Sequence, residues 1–237
     1  MKIFLLCLLF STQVFAFKFT PMSVSISANE GDRHTIVYLE NDSSSPIAIQ
    51  MTLAKRVMNQ YGEETYPEEN NELSIYPAQL IIPPYEKRSV KVSYNGPKTI
   101  EAEKAFRIIA EQLPIEVEKT KKKKTNVKIL LRYIAALYID NDNTQSQIEL
   151  SKFETSKNDI TFYVKNSGTK HQVLSNLKLR ISKKNEKAFE INSVDLKNFS
   201  GENVLANQER IFKLPLNNEL KKITKDHLVE LKFEKDK

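Results

Sequence analysis

The alternation of apolar and polar positions predicts short strands along most of the chain. Turn-forming residues, such as those at 95–97 and 166–168, separate the alternating segments. Before Asp140 the expected strands are Phe17–Ile26, Thr35–Glu40, Ile47–Val57, Leu73–Pro77, Arg88–Tyr94 and Ala105–Leu113. After Asp140 they are Gln147–Phe153, Asp159–Lys165, Leu174–Ser182, Ile191–Val194, Gln208–Leu214 and Leu228–Phe233. The pattern predicts an all-β chain of two β-sandwich domains, 17–140 and 141–237, divided at a polar segment that begins at Asp140.

The segment Asn126–Asp140 is more apolar than a strand with one face in water needs to be. One side of it carries Val127, Ile129, Leu131, Tyr133 and Leu137, and the other carries Leu130, Ile134 and Tyr138 with Lys128 and Arg132. Apolar residues on both sides are typical of a strand that is covered on both faces. As a strand it would extend about 45 Å, well beyond the usual length, so the excess predicts a second molecule that pairs with it. The same apolar residues also fit helical spacing, and only the β pattern of the neighbouring segments favours a strand.

Four lysines, 121–124, precede this segment. Runs of like charge usually remain solvated, which is one interpretation of the run. The alternative is a flexible loop that lets the following strand approach an acidic surface.

The first residues have the pattern of an export signal. Met1-Lys2 is basic, Ile3–Phe10 is apolar, and Val14-Phe15-Ala16 predicts cleavage after Ala16, giving a signal peptide at 1–16. The apolar block is too short to cross a bilayer, and no second long block follows, so no membrane span is expected. Cys7 is the only cysteine, so the mature chain would have no disulfide.

Composition argues against several classes of function. The net charge is +6, from 36 Lys+Arg against 30 Asp+Glu, without an aromatic-rich basic motif, so a nucleic-acid partner is not expected. His34, His171 and His227 are far apart, which predicts no metal site, and five dispersed glycines predict no phosphate loop and no cofactor. The carboxylates of Glu63-Glu64 and Glu68-Glu69 are expected in a solvated loop that cannot shift their pKa for acid–base work. The sequence therefore predicts a protein that is not an enzyme.

Two motifs together resemble the periplasmic pilus-assembly chaperones of the chaperone–usher pathway. Tyr76–Tyr94 has a proline, an apolar pair, a second proline and then a V-x-V strand. Glu103–Pro114 is similar to the family's aromatic-Arg strand that ends in E-x-L-P, and Phe19-Thr20-Pro21 fits the same pattern. The resemblance covers Phe17–Asp140 well and is closer to the divergent, archaic-type branch.

The resemblance implies two immunoglobulin-like β-sandwich domains in an L-shaped arrangement. It implies that the chain binds pilin or fimbrial subunits in the periplasm by donor-strand complementation, a form of β-augmentation, and delivers them to an outer-membrane usher. The donated side chains would be Val127, Ile129, Leu131 and Tyr133, unless this side of the strand is the domain's own core or the opposite side faces outward. Without a subunit, the exposed apolar edge is expected to cause self-association.

The family also holds the terminal carboxylate of the subunit with basic residues between the domains. Met22-Ser23 and Ala135-Ala136 stand where the family has its arginine and its lysine. Arg107 and Arg132 are then the candidate carboxylate anchors, because a guanidinium fork suits a carboxylate. The alternative is an internal pair with Glu111 or a surface position.

A second class of function is also compatible with two sandwiches behind a signal peptide. The alternative to a chaperone is a secreted, immunoglobulin-like adhesive module that binds a ligand through its loops. Such a module would stay monomeric, whereas a chaperone without its subunit would expose an apolar edge.

Overall fold

A computed structural model of the chain describes residues 17–29, 31, 33–69, 71–114 and 129–234. The predicted signal peptide, the lysines at 121–124 and Val127 lie outside these ranges. Strands make up almost all of the regular structure in the described ranges, with two short 3₁₀ turns in the second domain, Ser193–Asp195 and Leu220–Lys222. The predicted all-β class is therefore confirmed.

The first domain is a sandwich of two sheets. Its strands are β1 Phe17–Thr20, β2 Ser23–Ser27, β3 His34–Asn41, β4 Ile47–Lys55, β5 Val57–Met58, β6 Glu64–Thr65, β7 Leu73–Tyr76, β8 Gln79–Ile82, β9 Lys87–Tyr94, β10 Lys104–Leu113 and β11 Arg132–Asp140. One sheet has the order β1-β3-β9-β7 and the other has the order β2-β11-β10-β4-β8. The pairing of β2 with β11 is parallel, and β5 and β6 form a short hairpin of their own.

Alternate side chains of the two sheets form the core between them. Val37 and Leu39 on β3, Val92 on β9, Ile108 on β10 and Leu137 on β11 are all inaccessible to solvent. Successive residues of a strand point to opposite faces, so the period-two pattern in the sequence becomes one apolar face on each sheet. Burial of these faces is the main source of stability in a domain without a disulfide.

Two strand predictions in this domain were incomplete. The segment Phe17–Ile26 forms two strands, because β1 pairs with β3 in one sheet and β2 pairs with β11 in the other. Pro21 lies at the change of sheet, where its missing N–H removes no ladder bond. Strand β8 was not predicted, since its four residues lack a clear alternation and stand close to Pro77 and Pro83.

The segment that could have been a strand or a helix is a strand from Arg132 to Asp140. Its register with β10 runs from Lys104 opposite Ile139 to Glu111 opposite Arg132. Residues 129–131 are described but precede the strand, so the ladder is shorter than the apolar segment.

The second domain is a smaller sandwich. Its strands are β12 Ile148–Thr155, β13 Asp159–Asn166, β14 Gln172–Val173, β15 Ser175–Ser182, β16 Phe189–Ile191, β17 Asn203–Val204, β18 Glu209–Pro215 and β19 Leu228–Glu234. The sheets are β12-β13-β18 and β16-β15-β19, with β14 and β17 as a separate pair. The Phe199 ring lies in the core, 5.3 Å from the Phe162 ring and 4.4 Å from the Phe212 ring. The placement of the boundary between residues 140 and 141 stays a prediction.

Candidate functional site

The first half of β11 is paired on one side only. The carbonyl oxygen of Leu131 accepts from the N–H of Gln112 at 2.9 Å, whereas the N–H of Ala136 points the other way and donates to the oxygen of Met22 at 2.9 Å. Backbone direction alternates along a strand, so the N–H and C=O groups of Arg132 and Ile134 point the same way as those of Ala136. The register of β2 begins only opposite Ala136. In the described part of the chain, Arg132 and Ile134 therefore offer unpaired backbone groups, and we name this stretch the β11 edge.

The apolar row from Ile129 to Ile139, whose residues alternate with Arg132 and Ile134 of the edge, passes gradually out of the core. Ala135, Leu137 and Ile139 are fully buried in the first-domain core, and Leu131 packs partly against it. Ile129, two residues earlier on the same side, is 69% exposed. The same side of the chain that fills the core therefore continues into solvent at Ile129.

Tyr133 belongs to the first domain's own packing. Its ring lies 4.8 Å from the Phe17 ring, edge to face, and 6.3 Å from the Phe19 ring. Its hydroxyl donates to the carbonyl oxygen of Phe17 at 2.7 Å. Of the four residues predicted for donation, Ile129 is the most exposed of those described, Leu131 is intermediate, Tyr133 is engaged within the domain, and Val127 lies outside the described residues.

Arg107 lies on the outer face of its sheet and binds a carboxylate of the same chain. Its Nε donates to Glu64 Oε2 at 3.0 Å and its Nη2 donates to Oε1 and Oε2 at 2.7 Å each. Arg56 binds the same group, with Nε donating to Oε1 at 2.8 Å. The side chains of Arg56, Arg107 and Glu64 are 6%, 15% and 12% exposed. We name Arg56 and Arg107 the arginine clamp.

The clamp determines the charge state of Glu64. Burial alone would raise the pKa of this carboxyl, but hydrogen bonds and charge from Arg107 and Arg56 outweigh burial, so its pKa is lowered below the usual 4.5. Glu64 is thus a sheltered, ionised carboxylate. The expectation of a solvated loop was wrong for Glu64, because β10 and the residue after β4 bring two guanidinium groups over it. It was also wrong for Glu69, whose side chain is 2% exposed and lies 3.3 Å from Lys55 Nζ.

Arg132 lies elsewhere on the same face. Its Nε is 4.0 Å from Glu111 Oε2, and both side chains are about half exposed, at 50% and 55%. Arg107 stands opposite Ala136, four residues along β11, which corresponds to a separation of about 13 Å. The structure therefore does not bring the two predicted anchors together. The pair with Glu111, considered as an alternative, is formed by Arg132, whereas Arg107 pairs with Glu64.

Tyr138 connects the arginine clamp to the second domain. Its hydroxyl accepts from Arg56 Nη1 at 2.9 Å and from Asn203 Nδ2 at 2.8 Å. Its ring stacks on the His171 ring at 3.7 Å and 6°. Burial raises the pKa of Tyr138. The phenol is therefore kept neutral between the domains.

A buried carboxylate fixes the imidazole at this interface. His171 Nδ1 lies 2.7 Å and 2.8 Å from the two oxygens of Glu103, whose side chain is 1% exposed. The backbone N–H of Glu103 donates to the Thr169 oxygen at 2.8 Å. The role of His171 in joining the domains was missed at the level of sequence, because Glu103 is 68 residues away.

Sequence reasoning also missed Arg56 and Glu64. The available signal was an arginine directly after an apolar strand and a carboxylate in the following hairpin, but only the fold places them together. Across the described ranges, no group of three or more His, Cys, Asp or Glu side chains converges where a metal ion could bind. The same ranges contain no helix long and apolar enough to span a bilayer.

Comparisons with known proteins agree with this architecture. The model of a family described as pili and flagellar-assembly chaperone, PapD N-terminal domain, matches residues 18–143, which is more than half of the chain. Among curated proteins, no sequence matches significantly.

Solved structures of the same fold include several chaperones. A chain of the CsuC–CsuE chaperone–tip adhesion subunit pre-assembly complex, from archaic chaperone-usher Csu pili of Acinetobacter baumannii, is 20% identical with a TM-score of 0.61, and the match covers 86% of this chain and 89% of that one. The class 5 fimbriae chaperone CfaA is 14% identical with a TM-score of 0.60, covering 92% of this chain and all of its own. A chain of the Salmonella enterica SafA pilin–SafB chaperone complex is 12% identical with a TM-score of 0.57, and 86% of each chain is covered.

At these identities the structural matches establish the fold, two β-sandwich domains in one chain, as the sequence predicted. The match over residues 18–143 goes further, because it covers both sheets of the first domain together with the β11 edge. The chain belongs to the family of pilus-assembly chaperones.

Proposed function

We propose that this protein is a periplasmic chaperone that captures pilus or fimbrial subunits by donor-strand complementation and delivers them to an outer-membrane usher. The subunit would add a strand to the β11 edge, where main-chain hydrogen bonds set the register. Alternate apolar side chains would fill an open groove of the subunit. The process needs no catalysis and no cofactor.

The observation that carries this proposal is the coincidence of an open edge with an emerging apolar row. Arg132 and Ile134 present backbone groups that no described strand satisfies, and Ile129 presents a large apolar side chain beside them. Exposed apolar edges promote aggregation, and proteins normally cover or charge them unless they bind a partner. A subunit strand would pair with the open backbone groups and would also cover the exposed apolar side chain.

The donated side chains in this proposal are Val127, Ile129 and Leu131, with Tyr133 at the point where the row enters the core. Each large aliphatic side chain that becomes buried contributes about 1.5–3 kcal/mol before ordering costs. Three such groups are therefore sufficient for stable capture. Without a subunit, the same row would cause self-association.

The proposed carboxylate anchors are Arg107 and Arg132. Arg107 is supported by the fork of its guanidinium, which already binds both carboxylate oxygens of Glu64. Arg132 is supported by its exposure beside the β11 edge. Because Arg107 and Arg132 are about 13 Å apart, a single terminal carboxylate would contact only one of the two.

The class of partner is supported by the relatives. The similar structures include a chaperone in complex with a tip adhesion subunit and a chaperone in complex with a pilin. The periplasmic location and signal cleavage after Ala16 rest on the sequence of residues 1–16. The usher as recipient rests on family membership.

Co-expression with exported proteins encoded beside this gene tests the proposal. A tagged chain should co-purify with one of them in a one-to-one complex. Ile129→Asp should reduce the recovered subunit at least about tenfold, because a charge would enter the apolar groove. Leu130→Asp is the matched control: it adds the same charge at an exposed neighbour, 45% accessible, on the opposite side of the chain. Equal recovery with Ile129→Asp and the wild type would contradict the proposal.

The anchors are tested in the same assay. Arg107→Ala and Arg132→Ala should leave the circular dichroism spectrum unchanged, and the variant that removes the true anchor should lose capture. Normal recovery of subunit with both variants would remove both anchors from the proposal.

A further inference from the structure

Three loops of the second domain meet at one end of its sandwich. They comprise residues 156–158, 183–188 and 216–227. The N–H of Leu216 donates to the oxygen of Asn158 at 2.8 Å, which joins the first loop to the third. Lys183 Nζ lies 3.8 Å from Asp226 Oδ2, which joins the second loop to the third. The three loops therefore form one continuous surface.

This surface carries the positive charge of the second domain. Its loops contain seven lysines, no arginine and three carboxylates, whereas the rest of 141–237 has eleven basic and eleven acidic residues. The excess of positive charge in this domain is thus confined to the three loops. We name their seven lysines the distal lysine patch: Lys157, Lys183, Lys184, Lys187, Lys221, Lys222 and Lys225.

The carboxylates of these loops pair with only two of the seven lysines. Lys183 Nζ lies 3.1 Å from Glu186 Oε1 and 3.8 Å from Asp226 Oδ2. Lys222 Nζ lies 2.7 Å from Glu219 Oε2. In the described part of the chain the other five lysines form no ion pair, and all five are exposed. Their ammonium groups therefore present uncompensated charge to solvent.

A large apolar side chain is exposed among these lysines. Leu228, the first residue of β19, is 61% exposed and stands opposite Ser182, which directly precedes Lys183. Lysines around an aliphatic side chain are typical of surfaces that bind at a membrane interface, where the ammonium groups meet anionic headgroups. Lysine is a compact point charge without the fork of arginine, so the patch suits a diffuse layer of negative charge better than one carboxylate in a fixed geometry.

The patch is separated from the contact between the domains by the length of β13. This strand begins at Asp159, next to the loop 156–158, and ends at Asn166, whose Nδ2 donates to the Leu205 oxygen at 3.1 Å. Leu205 packs against Ala136 of the first domain. The eight residues of the strand correspond to about 23 Å. A surface that covers the patch therefore leaves the contact between the domains uncovered.

We propose that the distal lysine patch, together with Leu228, binds the surface of an anionic phospholipid bilayer. The protein is then held peripherally by the end of its second domain, with Leu228 at the boundary between headgroups and acyl chains. The attraction declines over a Debye length of about 8 Å at physiological ionic strength, so binding is sensitive to salt. The proposal goes beyond the capture of subunits and does not depend on it.

Co-sedimentation of the purified protein with lipid vesicles tests the proposal. One set of vesicles contains phosphatidylcholine with about 30% phosphatidylglycerol, and the other contains phosphatidylcholine alone. Binding to the anionic vesicles should be at least about tenfold stronger and should disappear as sodium chloride is raised to about 1 M. A variant that combines Lys184→Gln, Lys187→Gln and Lys221→Gln should lose at least about tenfold of this binding. Equal binding of the wild type to both sets of vesicles would contradict the proposal.

A variant that combines Lys91→Gln, Lys165→Gln and Lys178→Gln is the matched control. It removes the same charge from three exposed strand positions outside the patch, and it should bind anionic vesicles as the wild type does. Equal weakening of the control and the patch variant would show that net charge alone causes the binding. A patch variant that binds as well as the wild type would assign the binding to another basic segment, such as the lysines at 121–124. Either result would overturn the proposal.

Leu228→Trp reports on the apolar contact, because the chain contains no tryptophan of its own. Its fluorescence should shift to shorter wavelength on anionic vesicles, whereas Ile36→Trp, at a 43% exposed position of the first domain, should show no shift. An unshifted spectrum of bound Leu228→Trp would remove Leu228 from the proposed surface. Soluble polyglutamate is the competitor. Its displacement of the protein from vesicles at an equal concentration of negative charge would assign the patch to an acidic protein and exclude the bilayer.

Discussion

A buried asparagine stands at the end of one strand in each domain and satisfies several backbone groups. Asn166, the last residue of β13, donates from Nδ2 to the oxygens of Lys170, Val204 and Leu205, at 2.8, 3.2 and 3.1 Å. Its Oδ1 accepts from the N–H of Gly168 at 3.0 Å. Asn41, the last residue of β3, donates to three carbonyl oxygens in the first domain in the same way. Both side chains are inaccessible to solvent. Each asparagine therefore satisfies backbone groups of nearby loops that would otherwise be buried without a hydrogen-bond partner.

Asn166→Ala should lower the free energy of unfolding by at least about 2 kcal/mol, because buried carbonyl and N–H groups lose their partners. Chemical denaturation followed by fluorescence or circular dichroism measures the change. Asn143→Ala, at an exposed turn position, should have little effect. Equal stability of Asn166→Ala and the wild type would show that water replaces these bonds without cost.

The lowered pKa of Glu64 predicts a pH dependence of stability with a definite sign. A carboxyl whose pKa is lower in the folded state stabilises the protein at pH values above its unfolded value, near 4.5, and loses that contribution as the pH falls through the folded value. The difference in unfolding free energy between the wild type and Glu64→Gln should therefore be largest at neutral pH and should shrink below about pH 4.5. Urea titrations from pH 7 to pH 3 measure it. A difference that stays constant down to pH 3 would contradict the assigned cause.

At the scale of elements, the two halves of β11 have different roles. Its second half, opposite β2 and β10, fills the core, and its first half has β10 as its only described neighbour. The division arises because β1 belongs to the opposite sheet and β2 starts only at Ser23. A change of sheet in the first strands of the chain thus creates the β11 edge.

Ile134→Pro tests the β11 edge through the backbone alone. The N–H of Ile134 points away from β10, so its removal should cost the isolated fold little, whereas it removes a donor needed by an added strand. We expect a folded protein with strongly reduced capture of a co-expressed subunit. Ile134→Ala keeps the N–H and is the control, and it should capture more subunit than the proline variant. Undiminished capture by Ile134→Pro would exclude strand addition at this point.

At the scale of the whole molecule, a mixed polar and apolar contact joins the two sandwiches. Met58, Ala136 and Tyr138 of the first domain pack with Leu205 of the second. The pair of Glu103 and His171 lies beside them. The N–H of Ile211 also donates to the oxygen of Gln60 in the loop of the hairpin that carries Glu64, at 2.7 Å. The β5–β6 hairpin therefore carries both Glu64, which binds the arginine clamp, and Gln60, which contacts the second domain.

His171→Ala should weaken the coupling of the two domains, because it leaves the Glu103 carboxylate buried with fewer partners and removes the ring that stacks on Tyr138. Removal of one member of a buried pair costs about 3–5 kcal/mol. Calorimetry should show the unfolding transition separating toward two steps. The partly exposed pair of Lys170 and Asp140, with nitrogen and oxygen 3.5 Å apart, provides the control, since Lys170→Ala should cost at most about 1 kcal/mol. A single unshifted transition in His171→Ala would contradict this role.

The sequence by itself determined the class of the fold and most of its strands. Alternation along segments such as Arg88–Tyr94 and Asp159–Lys165 reflects a local property, the period of two of a strand that is buried on one face. The excess of apolar residues before Asp140 was also visible in the sequence, because it needs only a comparison of segment length with the usual strand. Membership of the chaperone family, suggested by short motifs, was confirmed by the match over residues 18–143.

Only the tertiary structure decided which residues meet. Whether Phe17–Ile26 forms one strand or two, whether β11 is open at Ile134, and whether Arg107 faces Glu111 or Glu64 all depend on sheet order and register. Glu64 and Arg107 are 43 residues apart, and they meet because β10 pairs with β4 and the chain returns through the β5–β6 hairpin. Side-chain patterns report burial, which is local, whereas ion pairs and open edges arise from contacts between distant segments, for which one sequence carries no direct signal.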